Sequence, residues 1–221
     1  MIPDGFTDLA PAKIASIVTF LEMCERPQWI ERQSSGVAAR LDSSSHVSSN
    51  AVSADQVSQQ EVRLRQVHRP GLDWYRALYR RAGAQWLWFS RLEMSDDQLS
   101  AVLNCASNEL FLAELEGSEI GMAELDRSHV PDVEITFFGL FSEAMGKGLG
   151  RLFMNAVLAH AWDQSAKRVW LHTCNLDAPA ALSFYVKCGF RPYKQAIEVA
   201  DDPRIRGILP EDAAPHVPII R

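Results

Sequence analysis

Leu140-Phe141-Ser142-Glu143-Ala144-Met145-Gly146-Lys147-Gly148-Leu149-Gly150-Arg151 is the stretch whose reading decides the fold. Upstream of it, Val133 to Phe141 is apolar almost throughout after Glu134, as in a central strand buried on both faces. Downstream, Leu149, Leu152, Phe153, Ala156, Val157 and His160 recur at the spacing of one helical face. The stretch therefore turns a strand into a helix. Its three glycines let the backbone approach a ligand and leave several N–H groups pointing into one concavity. A helix N-terminus at that point favours an anion such as a pyrophosphate.

Working outward, Leu110 to Leu115 and Ile120 to Leu125 read as a hairpin around Glu116-Gly117-Ser118-Glu119, where Gly-Ser can supply a two-residue primed turn. Val62, Leu64 and Gln66 alternate with Arg63 and Arg65 as in a half-buried strand that Pro70 stops. Leu72, Tyr75, Leu78, Tyr79 and Ala82 form a helical stripe, Trp86 to Leu92 start a second helix, and Ser95 with Gln98 makes a capping box. After the glycine turn, Arg168 to Thr173 reads as strand and Pro179 to Lys187 as helix, with Gly189 at its C-cap and a further strand closing the order. This is a mixed α/β arrangement. Ile14, Ile17, Val18 and Leu21 also fall at i, i+3, i+4, i+7, which predicts an N-terminal helical extension over 1–32. Residues 33–60, rich in Ser, Gln, Asn and Ala, read as a polar linker. The main body spans 61–200. Residues 201–221, with four prolines, read as an extended tail long enough to cross a neighbouring subunit of a homodimer.

Other phosphate motifs fit the glycine stretch worse. A P-loop needs Ser or Thr after Gly-Lys, and Lys147 is followed by Gly148. A dinucleotide fingerprint opens the first βαβ unit and leads to an acidic residue about 20 positions on. Met145-Gly-Lys-Gly148-Leu-Gly150, after a central strand and before a helix, resembles the acetyl-CoA motif of the GNAT superfamily of N-acetyltransferases, Arg or Gln, two residues, Gly, any residue, Gly or Ala. Ala181-Leu-Ser-Phe-Tyr185-Val-Lys-Cys-Gly189-Phe190 is similar to the family's second signature, Ala, three residues, Tyr, three residues, Gly-Phe. Two positions depart from the pattern. Met145 stands where Arg or Gln is usual, and Ala178 stands where many members carry Asn, with Asn175 three residues earlier as a substitute.

The resemblance implies a mostly antiparallel central sheet flanked by helices, and acetyl-CoA as acyl donor with no metal. It implies that the donor is held by Leu140, Phe141, Ser142, Met145, Gly146, Lys147, Gly148, Leu149, Gly150, Arg151, Asn175 and Tyr185. An alkylammonium with pKa about 10.4 must lose a proton before attacking the thioester, an uphill step of about 4.6 kcal/mol at pH 7. Glu134, counted back from the glycine turn, falls where some members hold a catalytic Glu, and by the two-residue strand period it shares a face with Thr136, Phe138 and Leu140. Glu124 and Asp126 are alternatives. Tyr185 matches the family's acid for the leaving thiolate. Trp74, Tyr75, Tyr79, Trp86, Trp88 and Phe89 read as core packing before an aromatic cradle, and His172 with Cys174 as core residues on one strand face.

Composition sets the outer limits. The chain has 221 residues, 47% hydrophobic and 23% charged, an ordinary globular balance. Net charge −6 opposes nucleic acid and anionic membrane as partners and is compatible with a cationic acceptor. The four cysteines are scattered, without zinc-ligand spacing. Asp4 and Asp8 precede the first apolar segment, unlike a signal peptide, and no apolar run is long enough to span a bilayer, so the expected location is the cytoplasm. The expected activity is acetyl transfer to a primary amine, a small molecule in preference to a protein lysine or N-terminus. The alternative is a non-catalytic acyl-CoA sensor.

Overall fold

The computed structural model describes residues 4–30, 62–163 and 165–221. Its strands are β1 (Lys13–Met23), β2 (Arg63–Val67), β3 (Asn108–Leu115), β4 (Ser118–His129), β5 (Asp132–Leu140), β6 (Arg168–Cys174) and β7 (Arg191–Asp201). Its helices are α1 (Leu72–Gly83), α2 (Ser90–Glu93), α3 (Asp96–Leu103), α4 (Leu149–Ala161) and α5 (Ala181–Lys187). The strands form one sheet in the order β2-β3-β4-β5-β6-β1-β7, antiparallel at every junction except β5–β6. The mixed, mostly antiparallel sheet matches the expected class.

Two apolar layers cover the sheet. On one face, Phe153 and Val157 of α4 and Tyr185 of α5 pack on Val133, Ile135, Val169 and Leu171. On the other, Tyr75, Leu78, Tyr79 and Ala82 of α1 with Leu99 and Leu103 of α3 pack on Leu112, Met122 and Phe141. The α1 stripe is the one its 3.6-residue period specifies, and each large side chain taken fully out of water contributes about 1.5–3 kcal/mol. Ser95 caps α3 in a reciprocal box with Gln98, as its sequence predicts.

Three expectations of local structure are corrected. Residues 13–23 are a strand between β6 and β7, not an appended helix. The run is β-branched at Ile14, Ile17, Val18 and Thr19, and the register shifts by one between Phe20 and Leu21. The extra residue at the shift is Tyr193 of β7, so β1 alternates regularly: Ile14 buries on one face against the tail and Leu21 and Met23 on the other against the main core, and apolar positions drawn from two faces mimic helical spacing. The hairpin turn is Glu116-Gly117, both at positive φ (52° and 80°), because Ser118 already pairs with Leu115. Leu87 adopts the left-handed conformation (φ 56°), so Trp86–Leu92 breaks into a 3-10 turn (Ala84–Trp86) and the short α2. The polar linker expected over 33–60 lies outside the described residues.

The tail after β7 is not extended. Asp202 and Arg204, about 1–3% exposed, form a bidentate ion pair (3.0 and 2.7 Å), and Arg204 donates onward to the carbonyls of Ala213, Ala214 and Val217. That knot folds the tail onto its own body, where Leu209 and Ala214 bury against Ile14 and Leu87. The chain thereby supplies its own partner for the segment expected to cross to another subunit.

Candidate active site

β5 and β6 pair only from Asp132↔Arg168 to Glu134↔Trp170. Beyond that point β5 stays with β4, β6 stays with β1, and the two strands fork. At the fork β5 carries a bulge: Ile135 opposes Leu125 and Phe137 opposes Glu124, leaving Thr136 as the extra residue. The bulge reverses the side-chain phase. Val133 and Ile135 face α4, but after it Phe138 and Leu140 do so, while Phe137 packs with α1. Glu134 therefore shares a face with Phe137 and Gly139, not with Thr136, Phe138 and Leu140 as strict alternation predicts. It is also the reason β5 is half-buried from Thr136 onward instead of buried on both faces.

The fork opens a cavity of about 590 Å³ that passes through the sheet. Leu140, Phe138, Phe184 and Tyr185 line it on the α4–α5 side, and Tyr79, Trp88, Phe137 and His172 on the α1 side. At its donor end lies the glycine turn. Gly146 (φ 71°) and Gly148 (φ 75°) hold left-handed backbone, and an added Cβ on either would meet nothing within 4 Å. Gly148 is the N-cap of α4 and has no side-chain cap, so the first-turn N–H groups are free for an anion. Gly150 has no positive φ, and an added Cβ would make ordinary contact with Phe184 at 3.4 Å.

The residues expected to hold the donor divide into two sets. Leu140, Met145, Gly146, Gly148, Gly150 and Tyr185 line the cavity, and Ala178 lies there as well. The others face elsewhere. Phe141 is buried beneath the Arg81 guanidinium, 3.8 Å from its ring centre, and Leu149 belongs to the main core. Ser142 donates to Glu143 (3.1 Å), Arg151 donates to the Lys187 carbonyl, and Lys147 is exposed. Asn175 extends the β1–β6 pairing: its Oδ1 accepts from the Ile17 N–H at 2.6 Å, which takes it off the cavity wall. Met145, in place of a basic or amide residue, turns its sulfur to Gln85 Nε2 at 3.7 Å.

Tyr185 lies in an aromatic nest with Phe138, Phe184 and Phe190. Its hydroxyl has no hydrogen-bond partner among the described residues. Burial, with the nearby Asp177 charge, pushes its pKa well above the usual phenol value. It stays neutral and retains a proton to give.

Of the candidate bases, Glu124 is fully buried and engaged by the Tyr75 hydroxyl and Arg91 (3.0 Å), away from the cavity. Asp126 accepts from the Ser128 N–H at 2.7 Å. Glu134 is set just behind the wall, with its Oε1 3.6 Å from Nδ1 of His172, which is on the wall. The Glu134 carboxylate is the main reason that the His172 pKa is raised above the usual imidazole value.

Sequence reasoning placed His172 and Cys174 in the core; both line the cavity. Their alternation on the strand after the turn was visible, but the fork that exposes it was not. Trp88 was likewise read as core. Its ring occupies space that side chains at Gly83 and Gly139 would fill, at 2.3 and 3.1 Å, and its Nε1 donates to Asp177 (3.1 Å). Asp177 also accepts from Thr173 Oγ1 (2.7 Å) and Cys174 N (2.9 Å), which fixes the loop after β6. Trp74, from the same group of aromatics, is partly exposed and off the wall.

A model of the acetyltransferase (GNAT) family matches residues 73–190, slightly more than half of the chain. Uncharacterized N-acetyltransferases of Mycobacterium tuberculosis and Mycobacterium bovis are 32% identical over 103 residues, 47% of this chain. The match spans 65% of those relatives' own length. Among solved structures, a functionally unknown conserved protein from Staphylococcus epidermidis is similar over 86% of this chain and 63% of its own (TM-score 0.52, 12% identity). A GNAT family acetyltransferase from Elizabethkingia anophelis with acetyl-CoA bound is similar over 61% of this chain and 78% of its own (TM-score 0.47, 21% identity).

Proposed function

The chain belongs to the GNAT family of acetyltransferases, and from that premise we propose that it transfers an acetyl group from acetyl-CoA to a primary amine of a small molecule by direct attack in a ternary complex. The observation that carries this reading is the continuity of one cavity from the glycine turn, through the fork, to His172 and Trp88 on the opposite face. Donor and acceptor can enter from opposite sides of the sheet and meet where β5 and β6 part.

In this mechanism the pyrophosphate sits on the free N–H groups of the turn and α4. The pantetheine arm runs along the unpaired backbone of β5, and the thioester lies at the fork. His172 takes the proton of the acceptor ammonium, and Glu134 behind it stabilises the imidazolium that forms. The amine nitrogen bonds to the acetyl carbon. Fork-side N–H groups of β5 and the buried hydroxyl of Thr136, which has no hydrogen-bond partner among the described residues, are the donors available to the oxyanion. As the C–S bond breaks, Tyr185 gives its proton to the sulfur, the second proton of the attacking nitrogen passes through water to the tyrosinate, and His172 releases its proton to solvent.

The test is thiol release from acetyl-CoA across a panel of amines, with the acetylated product identified by mass. Tyr185→Phe should lower kcat about 10²-fold at unchanged acetyl-CoA affinity. Acetyl-CoA binding with no acceptor-dependent release from any amine overturns the reading and makes the chain a sensor.

A further inference from the structure

Resting on the transferase reading above, we propose that the acceptor is a monoamine on a compact, uncharged, apolar body, with Glu198 at the cavity rim recruiting its ammonium. The cavity is mid-range for a small-molecule site and must also admit the thioester arm, so the acceptor half takes a compact molecule. That half is walled by Tyr79, Trp86, Trp88 and Phe137, with Leu87 and Ile14 opposite. Flat aromatic walls with few polar groups suit an apolar body and leave the hydroxyls and extra ammonium groups of a polar acceptor without partners.

The polar groups on this wall are mostly engaged. Both Asp177 oxygens accept hydrogen bonds, and the Tyr79 hydroxyl lies 3.1 Å from Ser90 Oγ. Two anionic groups are left. Glu134 is committed to His172. Glu198, exposed on β7 opposite Ser16, lines the cavity and has neither hydrogen bond nor ion pair among the described residues. One free carboxylate and one imidazole provide for a single ammonium. The wall is also backed from outside by the tail, whose Leu209, Ala214 and Val217 pack behind Ile14, Leu87 and Phe89, so no groove for an extended peptide runs that way.

The experiment compares 2-phenylethylamine, spermidine and a lysine-containing peptide as acceptors for the full chain with acetyl-CoA, by product mass and initial rate. The expected order puts 2-phenylethylamine ahead in kcat/KM by about tenfold or more. Glu198→Gln should raise the KM for 2-phenylethylamine about three- to fivefold and abolish its rise with added salt, while the KM for acetyl-CoA stays put. Glu198→Asp should recover the salt dependence. Preference for spermidine or the peptide overturns this inference and leaves the transferase reading standing, as does a Glu198→Gln protein with wild-type KM and salt response. No product from any of a wide set of amines overturns both.

Discussion

Gly148 and Gly150 lie two residues apart in one motif, and replacing each by alanine should move stability in opposite directions. At Gly148 the φ of 75° is left-handed and nothing lies within 4 Å of an added Cβ, so the whole cost of alanine is conformational, about 1–2 kcal/mol. Gly150 is inside the first turn of α4, its φ is not positive, and its added Cβ would make ordinary contact with Phe184 (3.4 and 3.6 Å) and Leu140 (3.7 Å). There alanine gains about 0.5–1 kcal/mol by helix propensity. For a chain of this size, about 2–4 °C per kcal/mol converts these to a fall in Tm of about 2–8 °C for Gly148→Ala and a rise of about 1–4 °C for Gly150→Ala. Urea unfolding of both variants beside the parent protein, with titration of acetyl-CoA by calorimetry, checks the pair. Gly148→Ala should also weaken acetyl-CoA, because relieving the strain tilts the N–H groups that form the cradle. Gly148→Asn should fall between alanine and the parent, since asparagine tolerates left-handed backbone. Shifts of the same sign at both positions would refute the reading that left-handed backbone requires glycine at 148 and that nothing requires it at 150.

Glu124→Leu strands Arg91 under cover and should cost about 3–5 kcal/mol in urea unfolding, most of which Glu124→Met with Arg91→Met recovers. The acid limb of the rate profile should track His172: activity falls as pH drops through its raised pKa, and Glu134→Gln, by removing the cause, moves that limb to lower pH. The same pair contributes stability that is complete below the unfolded imidazole pKa and disappears as pH rises through the raised folded value, measurable as a pH-dependent difference in Tm between parent and Glu134→Gln. Leu209→Ala opens space behind Ile14 and Leu87 and should cost about 2–5 kcal/mol while raising the acceptor KM and sparing acetyl-CoA affinity.

What could be read in the sequence depended on how local the cause was. The glycine turn, the Ser95 cap and the α1 stripe each follow from residues a few positions apart, and they stand where the sequence put them. β1 did not, because it buries Ile14 on one face and Leu21 and Met23 on the other, and the two sets together look like one helical face. At the site the cause was a bulge: one extra residue in β5, Thr136, moved Glu134 to the opposite face from Phe138. His172 and Trp88 were hidden for a different reason. Their exposure exists only because β5 and β6 separate, a tertiary event that neither strand announces. Asn175, close to the motif in sequence, is engaged by a backbone partner 158 residues away in the chain that no local pattern signals.

That remote partner has a kinetic side. β1 precedes every other strand among the described residues, yet it is held between strands beginning at residues 168 and 191, with the Lys13–Asp201 contact closing a separation of 188 residues. During synthesis the strand pairs with neither neighbour until residues beyond 168 have emerged, and closing so long a loop makes its insertion slow. The stretch shared with the family, 73–190, includes neither β1 nor β7. Expressed as an isolated fragment, it would leave β6 as a raw sheet edge bordering the catalytic opening, open to pairing with other chains.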